Sequence, residues 1–485
     1  MSGLGTLLAD GGAALDVAGR RVTVVGGARS GLAAARLLAR HGAEVFLTDA
    51  GAGSDAARAE LASMGPDGAG VAFEFGGHTA RALDADLVVL SPGVPTSAPL
   101  VQSALRQSVP VWSEIELASA VCPGPIVAVT GSNGKTTTVT LLDHVFETAG
   151  RAHVTAGNIG APFSDYVDGM DAETVALLEI SSFQLDHIDR FRPRAAVLLN
   201  VTPDHLDRYD HDFAAYAEAK FRLFENMRAG DWLIYNADDP VVADAVERRA
   251  PAQGLAPLAI STEGPVARGA FVEDGRVVLL LPDAPHPDAP VNRTDLMPTS
   301  DLALRGTHNL YNSLASAIVA RAMEIRNDVV RESLTSFEGV PHRLERVRTA
   351  KGVHYVNDSK ATNVNAVWYA LESFPAGERR VVLIAGGRDK GNDYGPLRDL
   401  IRDRVKGIVA IGEGANAVEA GLVDALGDDA PELAHASSME QAIQYASVLA
   451  EPGDTVLLSP ACASFDMFQD YEHRGDTFKR LVNAL

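Results

Sequence analysis

The sequence predicts an α/β protein made of three consecutive α/β domains, and three observations carry that expectation. The chain has 485 residues, and at roughly 100–200 residues per domain this favours about three folding units. Short apolar, β-rich runs alternate with Ala- and Leu-rich stretches almost throughout, as in domains with mainly parallel sheets. Twice, at Gly26–Gly31 and Gly131–Gly134, a glycine-rich turn joins such a run to a helical stretch.

Arg21–Val25 reads as a strand, Gly26–Gly31 as a turn and Leu32–His41 as a helix; a second strand, Val45–Thr48, ends at Asp49. Leu87–Leu90 is a further strand running into Ser91-Pro92-Gly93, and this first domain is expected to span residues 1–115. The central domain, expected over 116–340, starts with the strand Ile126–Val129 and a helix from Lys135. Strands Val175–Ile180 and Ala195–Asn200 follow, then helices near Ala214–Asn226 and Asn309–Arg326. Residues 262–300 are rich in Pro and Asp and read as irregular surface or a hairpin insertion. The third domain, 341–485, has strands Val381–Ala385, Gly407–Ile411 and Thr455–Leu458.

Composition narrows the function classes. Hydrophobic residues make up 46% and charged residues 22%, which excludes a disordered chain or a coiled coil. The formal net charge of −22 argues against non-specific binding to nucleic acid or anionic membranes, which needs basic surface. Cys122 and Cys462 are too few for a disulfide framework, and the N-terminus lacks the cationic start of a signal peptide. A cytoplasmic protein with no membrane span is the expectation.

The motifs nevertheless look built for anions. Gly26-Gly27-Ala28-Arg29-Ser30-Gly31, with Asp49 closing the next strand, approximates a dinucleotide fingerprint that seats a diphosphate on a helix N-terminus. Ala28 replaces the second glycine, so a plain strand-turn-helix or another diphosphate ligand remains open. Gly131-Ser132-Asn133-Gly134-Lys135-Thr136-Thr137 is a compact phosphate loop: backbone N–H groups and Lys135 suit phosphate oxygens, and Thr136 suits Mg²⁺. Glu179 ends a strand and His205 follows one, and both are candidate metal ligands, although a turn-stabilising role is the plainer reading of His205. Lys220, taken alone, reads as a solvated lysine on an amphipathic helix. Three polar turns in the third domain, Asn357–Asn363, Gly386–Lys390 and Ser459–Asp466, follow strands and suit a small anionic substrate.

Together the motifs resemble the Mur ligases. Gly131–Thr137, Asp204-His205-Leu206-Asp207, Gly306–Asn312, His342-Arg343-Leu344-Glu345 and Asn357–Asn363 occur in the family order. Ser91-Pro92-Gly93, Gly157–Gly160, Glu179–Leu185 and the run SPACASFDMFQDYEHRGDTF make the chain similar to the D-glutamate-adding branch; the Asp-Asn-Pro-Arg motif expected of the diamino-acid-adding branch is absent. The fold so implied is Rossmann-like, then P-loop ATPase-like, then Rossmann-like. The implied reaction is ATP-dependent joining of D-glutamate to UDP-N-acetylmuramoyl-L-alanine through an acyl phosphate, in peptidoglycan precursor synthesis. Alternatives are another Mur ligase, a folylpolyglutamate-synthetase-like ligase, or a catalytically silent nucleotide-binding protein.

By the same resemblance, Arg29, Ser30, Asp49, Gly93 and Asn158 bind the UDP-sugar. Gly131, Ser132, Asn133, Gly134, Lys135, Thr136, Thr137, Asn309, Arg343 and Asp358 bind ATP. Thr136, Glu179, His205 and Lys220, the last as a carbamate, hold two Mg²⁺ ions, and Lys360 joins Lys135, Glu179, His205 and Lys220 in catalysis. Thr362, Lys390, Ser464 and Tyr471 take the D-glutamate carboxylates. The expected state is a monomer whose third domain closes on ATP.

Overall fold

The computed structural model describes residues 16–64, 70–389 and 391–485. Its first sheet has β1 (Arg21–Val25), β2 (Glu44–Asp49), β3 (Ala72–Phe75), β4 (Leu87–Leu90) and β5 (Val111–Ser113) in the order β3-β2-β1-β4-β5, all parallel. Val25 is level with both Thr48 and Leu90. The turns after β1, β2 and β4 therefore start side by side.

The second sheet has β6 (Ile126–Thr130), β7 (His153–Gly157), β8 (Val175–Glu179), β9 (Ala195–Leu198), β10 (Trp232–Asn236), β11 (Leu258–Ser261), β12 (Gly269–Glu273), β13 (Arg276–Pro282) and β14 (Val291–Pro298). Their order is β14-β13-β12-β11-β10-β9-β6-β8-β7. β6 is buried along its whole length, which is why it reads as an unbroken apolar run and not an alternating one. It lies between β8 and β9, so the phosphate loop opens between the ends that carry Glu179 and Asn200. Of the two readings of residues 262–300, the hairpin holds: β13 and β14 pair antiparallel and extend the sheet edge, joined by an irregular segment over 283–290. The Pro- and Asp-rich stretch that marked the region is the loop between the two strands.

The third sheet comprises β15 (Glu345–Ala350), β16 (Val353–Asn357), β17 (Val381–Gly386), β18 (Val405–Ile411), β19 (Glu432–Ala436) and β20 (Thr455–Leu458) in the order β15-β16-β20-β17-β18-β19. Only the β15–β16 pair is antiparallel. No helix among the described residues is long and apolar enough to cross a membrane.

The sheets fall into two compact units. One holds the first two sheets, up to Leu302 and over Tyr311–Ser336; the other holds Ala303–Leu310 and Phe337–Leu485. Within the first unit, two buried carboxylates join the sheets. Glu116 accepts backbone N–H bonds from Asp189, Arg190 and Phe191 at 2.9–3.0 Å, and Glu114 accepts from Ser164 N at 2.6 Å. Burial raises the pKa of both, against the lowering effect of those bonds. An outer layer adds Arg36 with Glu60 and Asp165, and Arg40 with Asp168 at 2.6 Å.

Each buried donor left without a partner costs about 1–3 kcal/mol, and Glu116 serves three donors at 1% exposure. Glu116→Ala should therefore lower unfolding stability by about 3 kcal/mol or more in urea titration. A loss below about 1 kcal/mol would remove Glu116 from that role.

Candidate active site

The first unit contains a cavity of about 560 Å³ lined by Arg29, Ser30, Asp49, Gly93 and Asn158, so all five residues expected at a UDP-sugar come together. Their contributions differ. Asp49 accepts backbone N–H bonds from Gly27 and Gly51, each at 2.6 Å, and so shapes two turns. Arg29 donates to the Gly160 carbonyl at 2.9 Å. Pro92, Val94 and Pro95 of the turn after β4 also line the cavity, as does His78, which sequence reasoning had passed over.

The phosphate loop sits one strand end away. Gly134 has φ +85° and a Cβ there would come within 2.5 Å of Asn312 Oδ1, so only glycine fits. It begins the helix Lys135–Thr148, which no side chain caps. That N-terminus offers backbone N–H groups and positive dipole to an anion. Ser132 is committed to structure: its hydroxyl donates to Thr202 O at 2.8 Å, accepts from Thr202 N at 2.9 Å and meets Tyr216 OH at 2.9 Å. Asn133 exchanges two bonds with the Asn200 side chain, at 2.8 and 3.1 Å. The Thr137 hydroxyl is buried without a partner among the described residues.

Glu179 joins the two places. Its Oε2 accepts from the Thr136 hydroxyl at 2.7 Å, and its Oε1 accepts from Asn158 Nδ2 at 2.8 Å. One carboxylate therefore touches both the phosphate loop and a residue of the cavity wall.

Lys220 is not solvated. It lies 2% exposed on the helix Phe213–Phe221, whose N-cap Asp212 accepts from Ala214 N and Ala215 N. Its Nζ donates to Gly131 O at 2.9 Å, and Lys135 Nζ donates to the same oxygen at 2.7 Å. Burial, then the neighbouring Lys135 charge, pushes the Lys220 pKa well below the usual lysine value; Asp204 and Glu179 act in the opposite direction. Helical periodicity marked an amphipathic position but could not reveal that the strand ends close over it.

His205 has φ +50°, and its ring packs edge-on against Phe183 with centroids 5.1 Å apart. Phe183 also carries the Arg208 guanidinium 4.0 Å above its ring, and Arg208 donates to Pro92 O at 2.9 Å. The His205 turn is thereby held beside the loop that forms the cavity wall. No three His, Cys, Asp or Glu side chains converge on a metal position among the described residues. A cation here would rely on Glu179, His205 and the Thr136 hydroxyl together with ligand oxygens, a donor set that suits Mg²⁺ bound through phosphates.

In the second unit, the sheet order β16-β20-β17 places the three polar turns next to one another. Asp358 accepts from Ser459 Oγ at 2.7 Å and Leu344 N at 3.2 Å, and burial raises its pKa to about 6. Lys360 Nζ lies 3.3 Å from Tyr471 OH and over the Tyr471 ring. Ser464 is buried, Thr362 half-buried, and Lys390 lies outside the described residues. Asn309 Nδ2 donates to Arg305 O at 2.8 Å, and Arg343 Nε is buried without a partner among the described residues. Arg474, which sequence reasoning had missed, ties the turns together. It donates to Ser359 Oγ at 3.0 Å, Ser359 O at 2.8 Å and Cys462 O at 3.1 Å, and burial lowers its pKa to about 10. Its signal was an arginine inside the long C-terminal run that carried the family likeness.

Comparison with known proteins places this geometry. Residues 20–113 match the Mur ligase MurD-like N-terminal domain, 129–320 the Mur ligase middle domain, and 342–462 the Mur ligase glutamate ligase domain. A UDP-N-acetylmuramoylalanine–D-glutamate ligase of Salinibacter ruber is 59% identical over 97% of this chain and 99% of that one. The chain belongs to the Mur ligase family. A Chloroherpeton thalassium relative of the same name is 45% identical over 97% of this chain and 99% of its own. Among solved structures, a pseudomurein peptide ligase type C from Methanothermus fervidus shares the fold, with a TM-score of 0.57 at 18% identity over 96% of this chain and 99% of that chain. The consecutive α/β architecture expected from the sequence is thus the Mur ligase architecture.

Burial, followed by the Arg222 charge, lowers the His187 pKa to about 4. Its ring meets Thr96 Oγ1 at 2.9 Å. The unfolded chain takes up this proton near pH 6.5 and the folded chain only near 4, so the stability His187 contributes is present above about 6.5 and lost as pH falls toward 4. Adjacent Asp186, raised to about 6 by burial, acts in the opposite direction. The stability difference between wild type and His187→Gln should shrink by about 2 kcal/mol between pH 7.5 and 4.5 in urea titrations. A constant difference would contradict the depressed pKa.

Proposed function

We propose that this Mur ligase joins D-glutamate to UDP-N-acetylmuramoyl-L-alanine at the expense of ATP, in peptidoglycan precursor synthesis. The observation that carries the reading is the shared carboxylate: Glu179 bonds both Thr136 of the phosphate loop and Asn158 of the cavity wall. A substrate seated in that cavity would present its carboxylate toward the γ-phosphate.

In this reading residues 1–115 hold the UDP-sugar through Arg29, Ser30, Asp49 and Gly93, helped by Asn158. Residues 116–340 hold the ATP phosphates on Gly131–Thr137, and residues 341–485 supply Arg343, Asp358 and Lys360. Asn309 serves the adenine, and Thr362, Lys390, Ser464 and Tyr471 the D-glutamate. The orphaned Thr137 hydroxyl and Arg343 Nε support a polar ligand, since buried polar groups are normally paired. The substrate carboxylate bonds to the γ-phosphorus as the bond to ADP breaks. The D-glutamate amine then attacks the acyl carbon, loses a proton, and phosphate leaves. No protein nucleophile is needed; Lys135 and Lys360 position and neutralise charge. When bound at Thr136, Glu179 and His205, Mg²⁺ would neutralise charge developing on the phosphoryl oxygens.

Burial, then the Lys135 charge, lowers the pKa of the Lys220 amine, which favours the uncharged form that adds to CO₂. Loss of the proton leaves a carbamate, which turns repulsion from nearby cations into attraction. Lys220→Ala should lower phosphate release at least about a hundredfold, with partial recovery in added acetate or formate. Full activity without supplement would remove the carbamate role.

The substrate assignment is checked by phosphate release from ATP with UDP-N-acetylmuramoyl-L-alanine and a panel of amino acids. Release with D-glutamate alone is expected. Release that requires L-alanine, a diamino acid or L-glutamate would assign another branch of the family, and no release with any would leave a nucleotide-binding protein.

A further inference from the structure

One wall of the nucleotide-sugar cavity has a chemistry that the family reading does not use. His78 is exposed in the turn after β3 and lines the cavity beside Asp49 and Ala50. Its Nδ1 lies 2.7 Å from Thr48 Oγ1, on the neighbouring strand.

The proton on that hydroxyl decides the tautomer. Thr48 Oγ1 is 2.8 Å from Glu74 Oε1, and Gly77 O is a distant 3.5 Å. Glu74 also accepts from Thr79 N at 2.9 Å and Thr79 Oγ1 at 2.8 Å. Burial raises the Glu74 pKa, but these bonds outweigh it and hold the carboxylate ionised, so it can only accept. A hydroxyl has one hydrogen. Thr48 gives it to Glu74 and must accept from His78, which puts the imidazole proton on Nδ1. Neutral His78 then has a bare acceptor at Nε2.

We propose that His78 Nε2 accepts the imide N3–H of uracil, making His78 a specificity residue that selects uridine over cytidine nucleotides. The proposal rests on the nucleotide-sugar reading of the cavity. Cytosine has a lone pair at N3, so two acceptors would face each other without a proton. Asp49, the acid lining the same cavity, spends one lone pair of each oxygen on a backbone N–H that shapes a turn. Reading by Nε2 is thus a consequence of how β2 and the turn after β3 share their protons.

The test is calorimetric titration of the full chain with UDP, CDP and N3-methyl-UDP. Wild type should prefer UDP over both others by about tenfold or more. His78→Ala, a change at an exposed site, should bring the three within about threefold while Tm stays unchanged. Thr48→Val keeps the imidazole but frees its tautomer, and should give an intermediate preference; if it does not fold, His78→Ala carries the test alone. An unchanged preference in His78→Ala, or none in wild type, overturns the role of His78. Failure of wild type to bind UDP at all overturns the nucleotide-sugar reading and the proposal with it.

Discussion

Two lysine side-chain nitrogens converge on one carbonyl oxygen, that of Gly131. Two like charges so close, one of them fully buried, are stable only if one loses its charge or a negative group arrives. Much of the central site follows from this. The left-handed Gly134 turns the loop so that its helix N-terminus faces the same space. Glu179 and Asp204 supply partial compensation, and an anionic ligand supplies more. The net charge of −22 therefore describes the surface, whereas the ligand site makes its own positive field.

A second requirement is that the sugar cavity stay in register with the phosphate loop. The cavity takes Gly26–Ser30, Asp49 and Gly93 from the first sheet and Gly157 and Asn158 from the second. Small relative shifts would carry Gly157 and Asn158 away from Asp49 and Gly93 across the cavity. Glu116 prevents this by binding three successive N–H groups of the loop that precedes β9, and Arg208 links the His205 turn to Pro92. These contacts explain why the first two sheets form one compact unit.

Much of this was legible in the sequence. Strands buried on both faces, such as Ile126–Thr130 and Val381–Gly386, are uninterrupted apolar runs, and Gly-rich turns mark their ends. The Gly131–Thr137 loop and the order of the family motifs led to the right fold and family. What stayed hidden lacks a local signature. The antiparallel strands Val291–Pro298 and Glu345–Ala350 are half exposed and carry polar residues, so their periodicity is weak. Glu116, Arg208 and Arg474 look like ordinary surface charges until the partners 73 to 116 residues away in sequence for the first two, and the Ser359 and Cys462 groups for the third, are seen.

By itself, the sequence determined which elements form and which turns can hold phosphate, because burial pattern and glycine placement are local consequences of residue type. The tertiary structure decided what each charged side chain is for. Lys220 became a buried amine, Asp49 a shaper of turns and His78 an imidazole with an assigned proton, because hydration, shared hydrogens and neighbouring charges depend on groups brought together only by folding.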